Sequence, residues 1–177
     1  WADERGNGHF RLHRHADVLL SPEDVGRDAL ADASVVIAGS VAMAAEPSKS
    51  AVLTALAAAN DLGIPVVVDL NIRPGLVSAD EMRMNAAALI TSATVVKLSV
   101  DDARELWGAM SIAETVQALE RFDPSIAVIT DGGRGAALRA GGETFEEAVF
   151  PVEAVEPTGA DDALTAEFIA RMPDNGW

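Results

Sequence analysis

The chain has no cysteine, which excludes a disulfide framework, a thiolate nucleophile and any zinc site built on thiolates. Positive charge is scarce. Thirteen Lys and Arg stand against 28 Asp and Glu, a formal charge of −15, and the only lysines are Lys49 and Lys97. A protein that tracks a phosphate backbone needs clustered basic residues, so a general nucleic-acid surface is excluded. No apolar run approaches the roughly 18 residues of a membrane span. The opening residues Trp1-Ala2-Asp3-Glu4-Arg5 are charged where a secretory leader would be apolar. A cytoplasmic protein with no membrane partner is expected. The first residue is Trp rather than Met, so residue 1 need not be a natural start. His9, His13 and His15 are the only histidines. Strand alternation would put all three on one face, read as an exposed strand face in preference to a metal site.

What the chain does have is 177 residues, 49% of them apolar, enough for one domain with a sizeable core. A strand is expected over His9–His13 and a helix start at Ser21-Pro22-Glu23-Asp24, with Ser21 as cap. Further strands are expected at Val35–Ala38, Val66–Asp69, Val95–Lys97 and Ile126–Thr130. Helical spacing runs from Ser48 to Leu62, with apolar positions Val52, Leu53, Leu56 and Ala59, and Gly63 ends it. Ser78-x-x-Glu81 and Ser111-x-x-Glu114 read as capping boxes. A short helix is expected over Asp101–Trp107. Alternating segments flank Gly141-Gly142 as a hairpin, and a last helix follows Gly159. Strands alternating with helices imply an α/β fold with a parallel sheet covered on both faces. Ligands in such sheets bind beyond the carboxyl ends of the strands.

Those ends carry the motifs. In Asp69-Leu70-Asn71-Ile72-Arg73-Pro74, alternation points Asp69, Asn71 and Arg73 the same way; Arg73 suits a phosphate, and an Asp–Arg ion pair is the plainer alternative. In Lys97-Leu98-Ser99-Val100-Asp101-Asp102, Ser99 and Asp102 have the spacing of a helix cap with a reciprocal acidic partner, which explains them without a ligand. Thr130-Asp131-Gly132-Gly133-Arg134-Gly135 is a glycine-rich turn that a hairpin alone also explains. Thr158-Gly159-Ala160-Asp161-Asp162 opens a helix. Its unpartnered N–H groups favour an anion, and Asp162 is placed to act as a base.

Taken in this order, the four motifs resemble those of the PfkB (ribokinase-like) carbohydrate kinases, the fructokinase branch most of all. The stretches Phe10-Arg11-Leu12-His13-Arg14, Gly39-Ser40 and Glu46-Pro47-Ser48 are similar too. The resemblance implies a parallel-sheet, ribokinase-like (Rossmann-type) sandwich. It also implies a single partial kinase domain over 1–177, short of the family's roughly 300 residues and lacking the small β-lid. The implied activity is ATP-dependent phosphorylation of a sugar hydroxyl, as in a fructokinase or a 2-keto-3-deoxygluconate kinase, with ATP and Mg²⁺. By resemblance, Asp162 is the catalytic base and also meets the sugar. Gly159, Ala160 and Asp161 supply the anion hole. Arg14 and Asn71 lie at the sugar, and Arg73, Lys97, Ser99, Thr130, Gly132 and Gly135 on the nucleotide and phosphate side. Asp102 acts on the metal through water. Two departures stand out: Asp161 replaces a family glycine, and Pro157 removes an N–H donor. They motivate the alternative of a catalytically impaired pseudokinase or a sugar- or nucleotide-binding remnant. Partners are then a small-molecule sugar and, through unpaired sheet edges, a second copy of the chain in a homodimer.

Overall fold

The computed structural model describes residues 13–150 and 159–172. They fall into two compact units. One is His15–Val149; the other comprises the remaining residues at the two ends and contains helix α6 (Ala160–Arg171).

Within His15–Val149 the elements run α1 (Arg27–Leu30), β1 (Val36–Gly39), α2 (Ser48–Leu62), β2 (Val66–Asp69), α3 (Ala79–Ser92), β3 (Val95–Ser99), α4 (Val100–Trp107), α5 (Ile112–Leu119), β4 (Ile126–Thr130), β5 (Ala136–Ala140) and β6 (Glu143–Glu147). Local chemistry accounts for most boundaries. Ser78, Ser99 and Ser111 each accept the backbone N–H three residues on, satisfying a first-turn donor that the helix leaves orphaned. Gly63 and Gly108 end α2 and α4 in the left-handed region, at φ 70° and 78°. Gly141 and Gly142, at φ 58° and 83°, form the two-residue turn that lets Ala140 pair with Glu143. At the start of the unit, Ser21 and Asp24 bond reciprocally around a 3₁₀ turn over Pro22–Val25. Those bonds from Ser21 hold the Asp24 carboxyl below the ordinary aspartate range.

The sheet order is β1-β2-β3-β4-β5-β6, with the first four strands parallel and the last two antiparallel. Each new strand is added at the same edge. Crossovers of one hand therefore deliver α2 to α5 to a single face. The core confirms it. Val66, Val68, Val96, Leu98, Ala127 and Ile129 share one cluster with Leu56, Leu89, Ile90, Leu106 and Leu119 from the helices. Nearly every one of these side chains is fully buried, which contributes roughly 1.5–3 kcal/mol for each large one. On the opposite face Val67, Val95 and Lys97 are equally hidden from solvent. In α2 the buried stripe is Val52, Leu56 and Ala59; Leu53 turns outward.

One other local expectation needs correction. His15 sits in a bend ahead of a 3₁₀ turn (Ala16–Val18), its N–H bonded to Asp17 Oδ1, so strand alternation does not extend to it. The strand expected over His9–His13 lies almost wholly outside the described residues.

Candidate active site

Parallel pairing brings the carboxyl ends of β1 to β4 to one edge. Gly39 is in register with Asp69, Asp69 with Lys97, and Ser99 with Thr130. Gly39 fits tightly there: a Cβ would stand 3.0 Å from the Asp69 carbonyl oxygen, so the neighbouring strand would have to give way slightly. The chain after β1 then zips onto the chain after β2. Ser40 N–H donates to the Leu70 carbonyl at 3.3 Å and Ser40 Oγ to the Asn71 carbonyl at 3.1 Å.

Asp69, Asn71 and Arg73 do not follow strand alternation as expected. β2 stops at Asp69, and Asn71 takes a positive φ of 39°, a conformation that Asn tolerates better than most residues. Asp69 faces Lys97, with Oδ2 3.0 Å from Nζ, and the two side chains are 14% and 4% exposed. Asp69 is therefore held in an ion pair with Lys97. Desolvating two such charges is costly, and removing either alone strands the other. Arg73 donates from Nη1 to the Ile72 carbonyl at 3.1 Å. It lines a small cleft with Ser40, Leu76, Met82 and Asn85. Asn85 is buried and ties α3 to the turn after β1 through Nδ2 and the Met43 carbonyl, 3.0 Å. Nothing in the local pattern around Asn85 marks it as more than a helix residue.

The Ser99–Asp102 cap forms as its spacing suggests. Asp102 Oδ2 accepts from Ser99 N–H and from Ser99 Oγ, both at 2.8 Å, and Ser99 Oγ accepts Asp102 N–H at 3.0 Å. Asp102 Oδ1 accepts a further bond, from Ile72 N–H at 2.7 Å, that sequence spacing does not reveal. The residue is 7% exposed.

After Thr130 the chain makes a 3₁₀ turn over Gly132–Arg134. Asp131 receives the Arg134 guanidinium through both oxygens, which raises Arg134 above the ordinary guanidinium range. Gly132 and Gly135 have positive φ, and a Cβ on Gly135 would collide with the Glu147 carbonyl oxygen at 2.4 Å. The close β5–β6 approach thus gives Gly135 a structural reason of its own.

The remaining expected site residues belong to the second unit. Gly159, at φ 82°, is the N-cap of α6; having no side chain it provides no side-chain cap. Ala160, Asp161 and Asp162 form the exposed first turn. Arg14 is half-buried in the same unit. Pro157 and Thr158 lie outside the described residues.

The match to the pfkB family carbohydrate kinases spans residues 3–176. The chain is 31% identical over 169 residues to the fructokinase of Klebsiella pneumoniae, covering 94% of this chain and 54% of that protein. It is 30% identical over 158 residues to the 5-dehydro-2-deoxygluconokinase of Lacticaseibacillus casei, 87% of this chain and 48% of the relative. Among solved structures, fructokinase from Vibrio cholerae O395, bound to fructose, ADP and calcium, superposes with a TM-score of 0.72 at 29% identity. That superposition covers 77% of this chain and 45% of that one. The chain thus spans about half the length of the curated relatives it matches. A sheet of six strands among the described residues, polar residues gathered at its carboxyl edge and a match over nearly every residue lead to one assignment: the chain belongs to the pfkB family of carbohydrate kinases.

Proposed function

We propose that this chain carries the phosphoryl-transfer half of an ATP-dependent sugar kinase. The observation that supports it most is the start of α6. Gly159 enters the helix in a left-handed conformation with no side-chain cap, and Asp162 stands exposed in the turn it opens. N–H groups at a helix start attract anionic oxygens, and phosphoryl transfer depends chiefly on positioning and charge stabilisation. In this reading Asp162 takes the proton of the sugar hydroxyl. The N–H groups of Gly159 to Asp162 hold the migrating phosphoryl group. Arg73 and the Thr130–Gly135 turn serve the nucleotide side, with Ser99 supporting the loop beside them. Arg14 and Asn71 serve the sugar. Lys97, paired and buried, acts by fixing Asp69.

Nucleotide chemistry of this kind uses a divalent cation to neutralise the phosphates. Among the described residues no group of three or more His, Asp or Glu is arranged to hold one, and three donors already occupy Asp102. The side chains at the β3–α4 corner therefore do not fit a resident Mg²⁺ site. In this reading the cation arrives as the metal–ATP complex.

A coupled ADP-release assay with metal–ATP and a panel of ketoses and ketogluconates tests the proposal. Asp162→Asn should lower sugar-dependent turnover by about 10²–10⁴-fold, the usual contribution of a positioned base. Unchanged turnover would remove Asp162 from the chemistry.

A second reading, a binding remnant that no longer transfers phosphate, is favoured by Asp161. It places a carboxylate in the same exposed first turn as Asp162, where an anion would have to approach. Asp161→Gly separates the two readings. Turnover that appears or rises about tenfold or more identifies a competent fold with an obstructed anion hole. Sugar-dependent nucleotide binding by calorimetry, with no turnover in either form, supports the remnant.

A further inference from the structure

We infer that Asp102 is a positioning residue: it clamps the turn after β2 and so aims Arg73, instead of serving as a direct metal ligand. The functional meaning of the clamp rests on the kinase reading, but its geometry does not. A carboxylate offers about four lone-pair sites. Three are engaged, by Ser99 N–H, Ser99 Oγ and Ile72 N–H, at 2.7–2.8 Å in a residue 7% exposed. Such short, charge-assisted bonds are the strong ones. Turning the carboxylate to ligate a metal ion directly would strand the Ile72 N–H, whose residue is 4% exposed.

The clamp falls where the chain needs one. Asn71 holds φ 39°, and a non-glycine residue stays in that region only when its surroundings enforce it. Three anchors do so: Leu70 N–H to the Lys97 carbonyl at 2.9 Å, Ser40 Oγ to the Asn71 carbonyl, and Ile72 N–H to Asp102. The next carbonyl, that of Ile72, receives the Arg73 guanidinium. One line of bonds therefore runs from the α4 cap, through Asp102 and Ile72, to Arg73. Losing its middle member frees the turn that carries Arg73 beside Ser40 and Asn85.

NMR on the full chain tests this without requiring turnover. In the unmodified protein a through-hydrogen-bond coupling should connect the Ile72 nitrogen to the Asp102 carboxyl carbon. Mn²⁺ added without nucleotide should leave the Ser99–Ala103 amides unbroadened. Asp102→Asn should speed amide exchange at Ile72 at least tenfold and shift the Arg73 Nε resonance. The control Asp101→Asn, whose carboxylate is exposed on Arg104, should do neither. No coupling in the unmodified chain would overturn the clamp even if the variant failed to fold. So would Mn²⁺ broadening at Ser99–Ala103 that Asp102→Asn abolishes, or an Arg73 resonance indifferent to Asp102. If these results hold while the Asp162 variant keeps full turnover, the kinase chemistry assigned to α6 fails and the clamp stands.

Discussion

The starts of α4 and α6 bear the same acidic pair, Asp101-Asp102 in one and Asp161-Asp162 in the other, yet they are built differently. At α4, Ser99 caps the helix, Asp102 folds back onto it, and the corner is buried against Ile72. At α6 the cap position is Gly159, and the whole first turn is exposed. Two neighbouring aspartates in a first turn favour the helix dipole in either case. What separates the two corners is the residue in front of the aspartates. A serine consumes the donors, and a glycine leaves the space.

That contrast can be broken by measurement. Asp102→Ala should cost about 2–4 kcal/mol in urea unfolding, because it strands the Ser99 and Ile72 N–H groups in a buried corner. A loss below 0.5 kcal/mol would mean that water replaces the carboxylate. Ser99→Ala should cost about 1 kcal/mol, the usual worth of a cap. Asp162→Ala should stay within about 0.5 kcal/mol, as for other exposed positions without a buried partner. Were Asp162→Ala as destabilising as Asp102→Ala, the α6 start would be a structural corner too.

The comparison also shows where sequence reading works. The caps at Ser78, Ser99 and Ser111, the Ser48–Leu62 helix with its Gly63 stop, and the Gly141-Gly142 hairpin are set by residues within four positions of one another. Each appears where its pattern places it, but only Ser99 closes a reciprocal capping box: at Ser78 and Ser111 the serine half forms, while Glu81 meets Lys49 and Glu114 accepts the Met110 N–H. The site features that escaped are contacts across the fold. Asp69 meets Lys97 through the β2–β3 register, and Asp102 meets Ile72 through the docking of α4 against the β2 end. Alternation failed at Asn71 because the strand had already ended, and no periodicity reports a single positive φ. Helix placement on one face escaped for the same reason: it follows from strand order, and strand order is not a local property.

That strand order has a kinetic side. Val36 pairs with Val66, Val67 with Val95, and Val95 with Ile126, so every parallel strand finds its neighbour one crossover later in the chain. No strand of the four must wait for a distant segment to fill a gap beside it. A sheet that grows at one edge can assemble in the order the ribosome delivers it, each crossover closing a loop of similar, modest length. Such a sheet keeps the window in which an unpaired apolar strand is open to the wrong partner short at each step of synthesis.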